Sequence, residues 1–513
     1  MPVPTRAPRR LVLATGTAAG LGLCCAVAML LWPRMGTDLS AAFAHADFAT
    51  AHGLRPVDFR WYGGTEQFGY SLISQYVMSV VGVLLTGVVS ALVCSVAFAA
   101  ILSHCRVRRP VLAGAAGTLC IFANLVSGRI TYALGIAFGM VALLALVTHR
   151  RTRAGVLAVL SAAASPVSGL FVGLVGAALL LSGRRADGRL LALSAGVPLV
   201  FEAFVFGQGG YNTISWSDAS SSLVLCLAVL VMCRYRPVRW GAAMCAAGLL
   251  ATYVVHTPVG LNATRLPVMF AVPVIFATAR MRLPWLLVPL LLLTAYRPQL
   301  IGADLEDRGS PASTAAYFRP VIAALMARHP VGRVEVPPLR DYWESVYVAE
   351  AVPLARGWLR QADTDRNPLF FDRPLTPTTY QAWLVDNGVQ YVAVADAVTS
   401  HVGTDEAHLI EGGLPYLSQV WTGPHWRLFE VAGDPALADP PARVIAEDAS
   451  GVTLSLPGPA DVVVRVRWTR LLTLSGPDGC VRPDGRWTRL SARKGGTYRL
   501  SSALHLGSPA RCR

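Results

Sequence analysis

The chain has 513 residues, of which 54% are hydrophobic and only 15% are charged. In soluble domains about a quarter of all residues are charged, so this composition excludes an ordinary soluble protein. The net charge of +15 comes almost wholly from arginines. Many of them stand in short clusters beside apolar runs, which is typical of the cytoplasmic loops of membrane proteins and argues against nucleic-acid binding.

Apolar runs fill the first 297 residues and predict a polytopic α-helical membrane domain with about eleven membrane segments, some of them short. The segments are 11–33, 76–102, 111–125, 131–147, two halves of 155–182, 190–206, 220–232, 241–255, 266–279 and 283–295. The arginines before the first run predict a cytoplasmic N-terminus. An odd number of crossings then predicts that the chain after residue 297 lies outside the cytoplasm.

Whether the number of crossings is odd or even depends on the stretch 155–182. Arginine clusters flank both of its ends, and Ser165-Pro166 interrupts its middle. A single crossing would carry one of the basic clusters outside, so we expect two short helices that meet at Pro166 and return to the same side. If the stretch crossed only once, the rest of the chain would be cytoplasmic.

The chain after the membrane domain has two regions that differ in sequence pattern. Residues 298–440 predict an extracytoplasmic α/β domain. Its predicted helices are TAAYFRPVIAALMARH and TPTTYQAWLVDNG, and its predicted strands are GRVEVPP, VQYVAVADA and WRLFEV. Residues 441–513 alternate apolar and polar side chains between turns, which predicts a small β-sandwich or a sheet appendage. Cys480 and Cys512 stand alone in this last region. They are either a disulfide pair, as expected outside the cytoplasm, or two unrelated thiols.

A long loop, residues 36–76, separates the first two apolar runs and is acidic and aromatic. Long ordered loops are more often functional than mere spacers. Asp38 follows the first helix closely, near the predicted outer membrane surface, where a carboxylate suits a general base acting on an acceptor hydroxyl. Asp38 is equally suited to cap the helix predicted over LSAAFAHADFATAHG.

The same loop offers four candidate substrate-binding residues, namely Asp58, Trp61, Tyr62 and Glu66. The Trp61-Tyr62 pair is followed by two glycines, and such a pair can stack on a sugar ring. An aromatic anchor at the membrane interface fits the same residues equally well.

Basic side chains at predicted outer ends of membrane segments are the second group of candidates. Arg129 and Arg265 suit an anion such as a lipid phosphate, although arginines that snorkel to bulk headgroups are the alternative. His256 is a similar candidate, but a lone histidine is more often structural. Glu202 lies inside an apolar run, and a carboxylate at that depth is by default a site hypothesis.

The layout of one helix, a large outer loop with an early Asp, many helices and an outer tail resembles the GT-C class of polytopic membrane glycosyltransferases. The stretches TDLSAAFAHADF, RWYGGTEQFGYSL, SGRITYALG and SPVSGLF resemble those of actinobacterial integral membrane proteins of this layout. The resemblance implies a polyprenyl-phosphate-linked sugar as donor, a cell-envelope glycan or lipid as acceptor, and Asp38 as base. The loop lacks the DxD or ExD pair of the commoner pattern, so a divalent metal is not supported and no cofactor is expected.

The sequence therefore predicts a glycosyltransferase of the cell membrane that acts on its outer face by hexosyl or pentosyl transfer. A transporter or flippase of envelope lipids and a non-catalytic envelope assembly protein are the alternatives. The chain shows no P-loop, HExxH or GxSxG pattern. This argues against an ATPase, a metalloprotease or a lipase.

Overall fold

The computed structural model describes residues 6–207, 209–279, 304–305, 308–372, 374–504 and 511–512. They form two compact units. The first comprises the described residues of Met1–Ala42, Gly69–Gly207 and Tyr211–Arg308, and the second comprises those of Phe43–Phe68, Gln208–Gly210 and Gly309–Arg513. The loop 36–76, which we expected to belong wholly to the membrane domain, is thus divided, and its middle belongs to the second unit.

The first unit is helical. Its helices are α1 (Arg6–Leu31), the start of α2 (Leu39–His52), α3 (Ser74–Val81), α4 (Val83–His104), α5 (Pro110–Val126), α6 (Ile130–Val147), α7 (Arg151–Ala164), α8 (Pro166–Leu181), α9 (Arg185–Phe206), α10 (Trp216–Met232), α11 (Arg236–Val254) and α12 (Arg265–Thr278). Helix α2 begins directly after Asp38, as the sequence predicted, and continues into the second unit.

Several of these helices are fit to cross a bilayer. Within the described residues, the helices long and apolar enough are Arg9–Leu31, Val83–His104, Ile130–Val147, Arg185–Phe206 and Gly260–Thr278. Leu31, Phe204 and Val231 each expose at least 80% of their surface, which water disfavours and lipid accepts. The first unit is therefore a multi-pass membrane domain. The segment expected at 283–295 lies outside the described residues, and the number and direction of crossings stay predictions.

The predicted hairpin within 155–182 is confirmed. Helix α7 ends at Ala164 and α8 begins at Pro166. At the other end of the pair, Asp187 accepts hydrogen bonds from Arg151 Nε at 2.9 Å and from Arg184 Nη2 at 2.8 Å. One carboxylate thus binds an arginine from each of the two basic clusters, so both clusters lie at the same end of the bundle.

The break at Pro166 leaves backbone carbonyls in the last turn of α7 without helical partners. The hydroxyl of Ser71 donates to the carbonyl oxygen of Ala164 at 2.9 Å, and that of Ser74 donates to the same oxygen at 2.7 Å. A helix can end inside a membrane domain only where the protein satisfies its backbone in this way.

The second unit contains the predicted α/β region. Its strands here are β3 (Arg333–Glu335), β4 (Val389–Ala395), β5 (Leu417–Gly423) and β6 (Trp426–Val431), and its helices are α13 (Ala315–Met326), α14 (Glu344–Ala351), α15 (Arg360–Arg366), α16 (Pro377–Asp386) and α17 (Thr404–Glu411). The sheet order is β3-β4-β6-β5, with β3 parallel to β4 and the other pairs antiparallel. The sequence predicted β3, β4, β6, α13 and α16. It missed the short helices α14, α15 and α17 and also β5, an edge strand whose residues are exposed or half-buried.

The end of the chain is a β-sandwich. Its strands are β7 (Arg443–Asp448), β8 (Gly451–Leu456), β9 (Ala460–Arg467), β10 (Leu472–Ser475), β11 (Gly479–Asp484), β12 (Trp487–Ala492) and β13 (Gly496–Ser502). They form two sheets, β10-β13-β8-β7 and β11-β12-β9, whose apolar side chains share one core. A short hairpin of the divided loop, β1 (Val57–Asp58) and β2 (Thr65–Glu66), adds Val57 and Phe59 to that core. Cys480 and Cys512 form a disulfide, which decides the question left open by the sequence.

Candidate functional site

Two glycine-containing turns of the membrane unit meet at Asp38. One turn precedes α2 and holds Gly36 (φ +98°), and the other joins α5 to α6 and holds Gly128 (φ +78°). A Cβ on Gly128 would lie 2.4 Å from the backbone nitrogen of Leu39, so no side chain fits there. This close approach lets the backbone N–H of Asp38 donate to the carbonyl of Ser127 at 3.1 Å. The second turn then ends at Arg129, directly before α6.

Asp38 lies between two arginines from different helices. Its Oδ2 accepts from Nε of Arg129 at 3.2 Å and from Nη2 of Arg265, the first residue of α12, at 3.4 Å. The side chains are partly exposed, by 27% for Asp38, 17% for Arg129 and 15% for Arg265. Among the described residues, none forms a hydrogen bond with Oδ1 of Asp38. The structure thus brings together three residues that the sequence singled out separately.

Polar and aromatic side chains surround this triad. The guanidinium of Arg265 lies over the ring of Tyr132 at 5.2 Å from its centroid. Within the described part of the chain, the buried hydroxyl of Tyr132 has no hydrogen-bond partner. Burial and the negative charge of Asp38 raise the pKa of Tyr70. Nη1 of Arg129 donates to Asn124 Oδ1 at 3.5 Å.

Asp304 is a residue of this site that sequence reasoning missed. Its Oδ2 accepts from the hydroxyl of Ser127 at 2.7 Å, and its Oδ1 accepts from the backbone N–H of Thr37 at 3.4 Å. Burial raises its pKa. It therefore connects the turn before Asp38 to the turn before Arg129. A signal existed, because Asp304 follows the last predicted apolar run and so was expected on the same membrane face as Asp38.

Trp61 and Tyr62, predicted to contact sugar, are buried in the second unit. Trp61 has no exposed surface, and its indole N–H donates to the carbonyl of Ser345 at 3.1 Å. The Tyr62 hydroxyl donates to the carbonyl of Gly357 at 2.6 Å, and burial raises its pKa well above the usual value. Neither ring has a face open to a ligand, so the stacking role is corrected. Both rings anchor the loop, but in protein and not at the membrane interface.

Asp58 and Glu66 also have structural partners in the second unit. Asp58 is fully buried and accepts from Nη2 of Arg60 at 2.7 Å. Glu66 accepts from the hydroxyl of Thr469 at 2.5 Å, and burial raises its pKa. Both carboxylates stabilise the β1–β2 hairpin, and the expectation that they bind substrate is corrected accordingly.

His256 is exposed and packs against Tyr211, with ring centroids 4.7 Å apart. No contact among the described residues joins it to Asp38, which agrees with the structural alternative. Over the same residues, no group of three or more His, Cys, Asp and Glu side chains is arranged to hold a metal ion. The carboxylates of the Asp38 site are Asp38 itself and Asp304.

Comparison with known proteins gives a remote structural likeness. No protein-family model matches the chain, and no curated protein matches it. A cryo-EM structure of the arabinofuranosyltransferase AftD from mycobacteria is similar, with a TM-score of 0.41 and 14% sequence identity over 96% of this chain and 60% of that one. The chain thus spans less than two thirds of that protein's length. A likeness this remote assigns neither a fold nor an activity to this chain.

Proposed function

We propose that the chain is a GT-C-type membrane glycosyltransferase that moves a sugar from a polyprenyl-phosphate donor to a cell-envelope glycan or lipid on the outer face. The observation that supports this proposal most directly is the Asp38 triad. One carboxylate oxygen lies between Arg129 and Arg265, and the other has no hydrogen-bond partner among the described residues. A base and two cations at one end of a membrane bundle are the groups that this transfer requires.

In the proposed reaction, the acceptor hydroxyl attacks the anomeric carbon of the donor sugar, and its proton passes to Asp38. The new glycosidic bond forms as the bond between the anomeric carbon and the phosphate oxygen breaks. The electron pair of that bond leaves with the prenyl phosphate, and attack from the face opposite the phosphate inverts the configuration of the anomeric carbon. Arg129 and Arg265 stabilise the negative charge that develops on the phosphate.

A mainly apolar groove beside the triad supports a donor with a lipid tail. Trp32, Leu84 and Val88 line it, together with Arg34 and with Leu39 and Gly128, the chain neighbours of Asp38 and Arg129. A prenyl chain in this groove would bring its phosphate to the arginines directly from the bilayer. A protein that receives its donor in this way needs no nucleotide-binding fold.

The disulfide of the β-sandwich supports the proposed orientation. Cys480 and Cys512 are bonded, and disulfides persist mainly outside the reducing cytoplasm. The second unit would therefore lie on the outer face. Thiol blocking followed by non-reducing electrophoresis tests this directly. If the second unit were cytoplasmic, Cys480 and Cys512 would be free thiols that react with the blocking reagent, and no disulfide would be found.

The function is tested in a strain that lacks the gene, complemented with the wild type, Asp38→Asn or Asp47→Asn. Asp47 is a matched control, since it is an exposed aspartate on helix α2. We expect the null strain and the Asp38→Asn strain to lack an envelope glycan and to accumulate a lipid-linked sugar, while Asp47→Asn restores both to normal. Normal glycans and lipids in the null strain would contradict the proposal.

A flippase is the second candidate, and Glu202 is the observation that favours it. This residue lies within the membrane-length helix α9, is 4% exposed, and has no hydrogen-bond partner for either carboxylate oxygen among the described residues. Buried carboxylates at such depth often belong to transport pathways. If the chain is a flippase, Glu202→Gln abolishes complementation and Asp38→Asn does not. The transferase proposal expects the reverse.

A further inference from the structure

The two arginines of the site meet at a single carboxylate oxygen. Both contacts to Oδ2 of Asp38, at 3.2 and 3.4 Å, are longer than the 2.7–2.9 Å usual for hydrogen bonds between charged groups. Neither arginine binds the carboxylate through two nitrogens. Two guanidinium groups thus share one carboxylate oxygen at long range, and each keeps further N–H groups that do not bind Asp38.

A phosphate group suits this position better than a carboxylate does. It carries more acceptor oxygens, so it can bind both guanidinium groups at once and at shorter distances. The side chains that flank the arginines support such an exchange. Tyr132 stacks on Arg265 and Asn124 accepts from Arg129, so each guanidinium stays oriented when Asp38 leaves it.

We infer that Asp38 and the donor's phosphate compete for one anion position between Arg129 and Arg265, so that donor binding displaces the carboxylate. This inference rests on the proposed function and adds an order to it. Before the donor arrives, the carboxylate is bound to both cations. Once the phosphate binds them, the carboxylate is free to accept the proton of the acceptor hydroxyl.

The same competition operates after transfer. Asp38 is then neutral and does not attract the arginines, so the prenyl phosphate product stays bound. When the proton leaves Asp38, its carboxylate again competes for Arg129 and Arg265 and helps to expel the product. Donor binding, base activation and product release are thereby coupled through one shared pair of cations.

Binding of farnesyl phosphate to the full-length chain in detergent tests the inference, with farnesol and inorganic phosphate as probes of the two halves of that ligand. Asp38→Asn keeps the shape of the side chain but removes the competing charge, so we expect it to bind farnesyl phosphate about fivefold more tightly than the wild type. Inorganic phosphate should show the same direction at lower affinity, and farnesol should show no difference.

Arg265→Ala and Asp47→Asn complete the design. We expect Arg265→Ala to bind farnesyl phosphate about tenfold more weakly and Asp47→Asn to bind like the wild type. Equal or weaker binding by Asp38→Asn, with Arg265→Ala still weakened, would overturn the inference and leave the proposed donor site intact. If no variant and no wild-type protein binds farnesyl phosphate, the proposed donor is wrong and the inference falls with it. Thermal unfolding of each variant identifies any that fail to fold.

Discussion

Two aspartates of the same loop, Asp38 and Asp58, both bind arginine, and they do so in opposite ways. Asp58 is fully buried, and among the residues that the structure describes Arg60 alone donates to its carboxylate, from the backbone nitrogen at 2.9 Å, from Nε at 3.0 Å and from Nη2 at 2.7 Å. Asp38 keeps 27% of its side chain exposed, and one of its oxygens accepts from two arginines that lie far along the chain.

The difference separates a structural ion pair from a reactive one. A buried carboxylate must have its hydrogen bonds satisfied, and a carboxylate that is saturated in this way offers nothing to a ligand. A partly exposed carboxylate with an open oxygen costs little to maintain and remains able to take a proton. The two residues have the same chemistry in the sequence, so only their surroundings assign their roles.

The largest expected effect is the loss of transfer in Asp38→Asn. A general base contributes roughly 10²- to 10⁴-fold to a rate, so we expect sugar transfer in isolated membranes to fall by that factor. The thermal unfolding midpoint should stay close to that of the wild type, because partly exposed ion pairs stabilise a fold by no more than about 1 kcal/mol. A variant that transfers normally, or that unfolds before it can be assayed, would break the contrast with Asp58.

Asp58→Ala should show the opposite pattern. It leaves the guanidinium of Arg60 buried without its carboxylate, which costs about 3–5 kcal/mol in comparable pairs. We expect a clearly lower unfolding midpoint for the second unit, followed by intrinsic fluorescence in the full-length protein. Glu411→Ala is the control, since Glu411 and Arg427 form an exposed pair. If both variants lose equally little stability, Asp58 does not have the structural role assigned to it.

The sequence predicted much of the membrane unit because charge and hydropathy act locally there. Arginine clusters on both sides of 155–182 were enough to predict the hairpin at Pro166, and placement at the ends of apolar runs was enough to select Asp38, Arg129 and Arg265. Asp304 was missed because no local sequence pattern links it to the loop. The fold supplies its carboxylate from far along the chain.

The misjudged residues of the loop show what sequence patterns omit. A Trp-Tyr pair before two glycines suits an open sugar platform and a buried turn equally well. What decides between them is a partner far along the chain, because Trp61 pairs with Leu354 and donates to Ser345. No local sequence pattern in the loop predicts that its middle packs into the core of the second unit.

Gly128→Ala tests how far the triad depends on the contact between its two turns. A non-glycine residue at positive φ costs about 1–3 kcal/mol, and here the new Cβ would also lie 2.4 Å from the nitrogen of Leu39. Gly183→Ala is a matched control, because Gly183 also has a positive φ, +88°, but open space around it. We expect both variants to lose stability, Gly128→Ala more than Gly183→Ala because of the added clash, and only Gly128→Ala to lose transfer. Equal transfer in the two would show that Asp38 and Arg129 do not need this close approach.

Glu335 extends the comparison between Asp38 and Asp58. It is buried like Asp58, but the nearest arginine binds other carboxylates. Arg356 donates to Asp363 at 2.8 Å and to Glu406 at 2.9 Å, and it remains 3.8 Å from Glu335. Burial, and after it the negative charge of Glu406, raises the pKa of Glu335 well above 4.5. The folded chain therefore retains a proton on Glu335 that the unfolded chain releases above that pH.

The pH dependence of stability caused by this proton is the smallest effect that we predict, and its sign follows from the raised pKa. Because the folded pKa is the higher one, the stability contributed at this site is complete below about pH 4.5 and falls as the pH rises toward the folded value. Glu335→Gln is neutral at every pH, so its stability relative to the wild type should increase as the pH rises from 4.5 toward the folded pKa, by at most about 1.4 kcal/mol per pH unit. Thermal unfolding of the full-length protein across that pH range measures this, with Glu411→Gln as the exposed control. A difference that does not change with pH would mean that Glu335 is ionised in the folded chain, and burial without a dedicated arginine would then not suffice to keep a carboxyl neutral here.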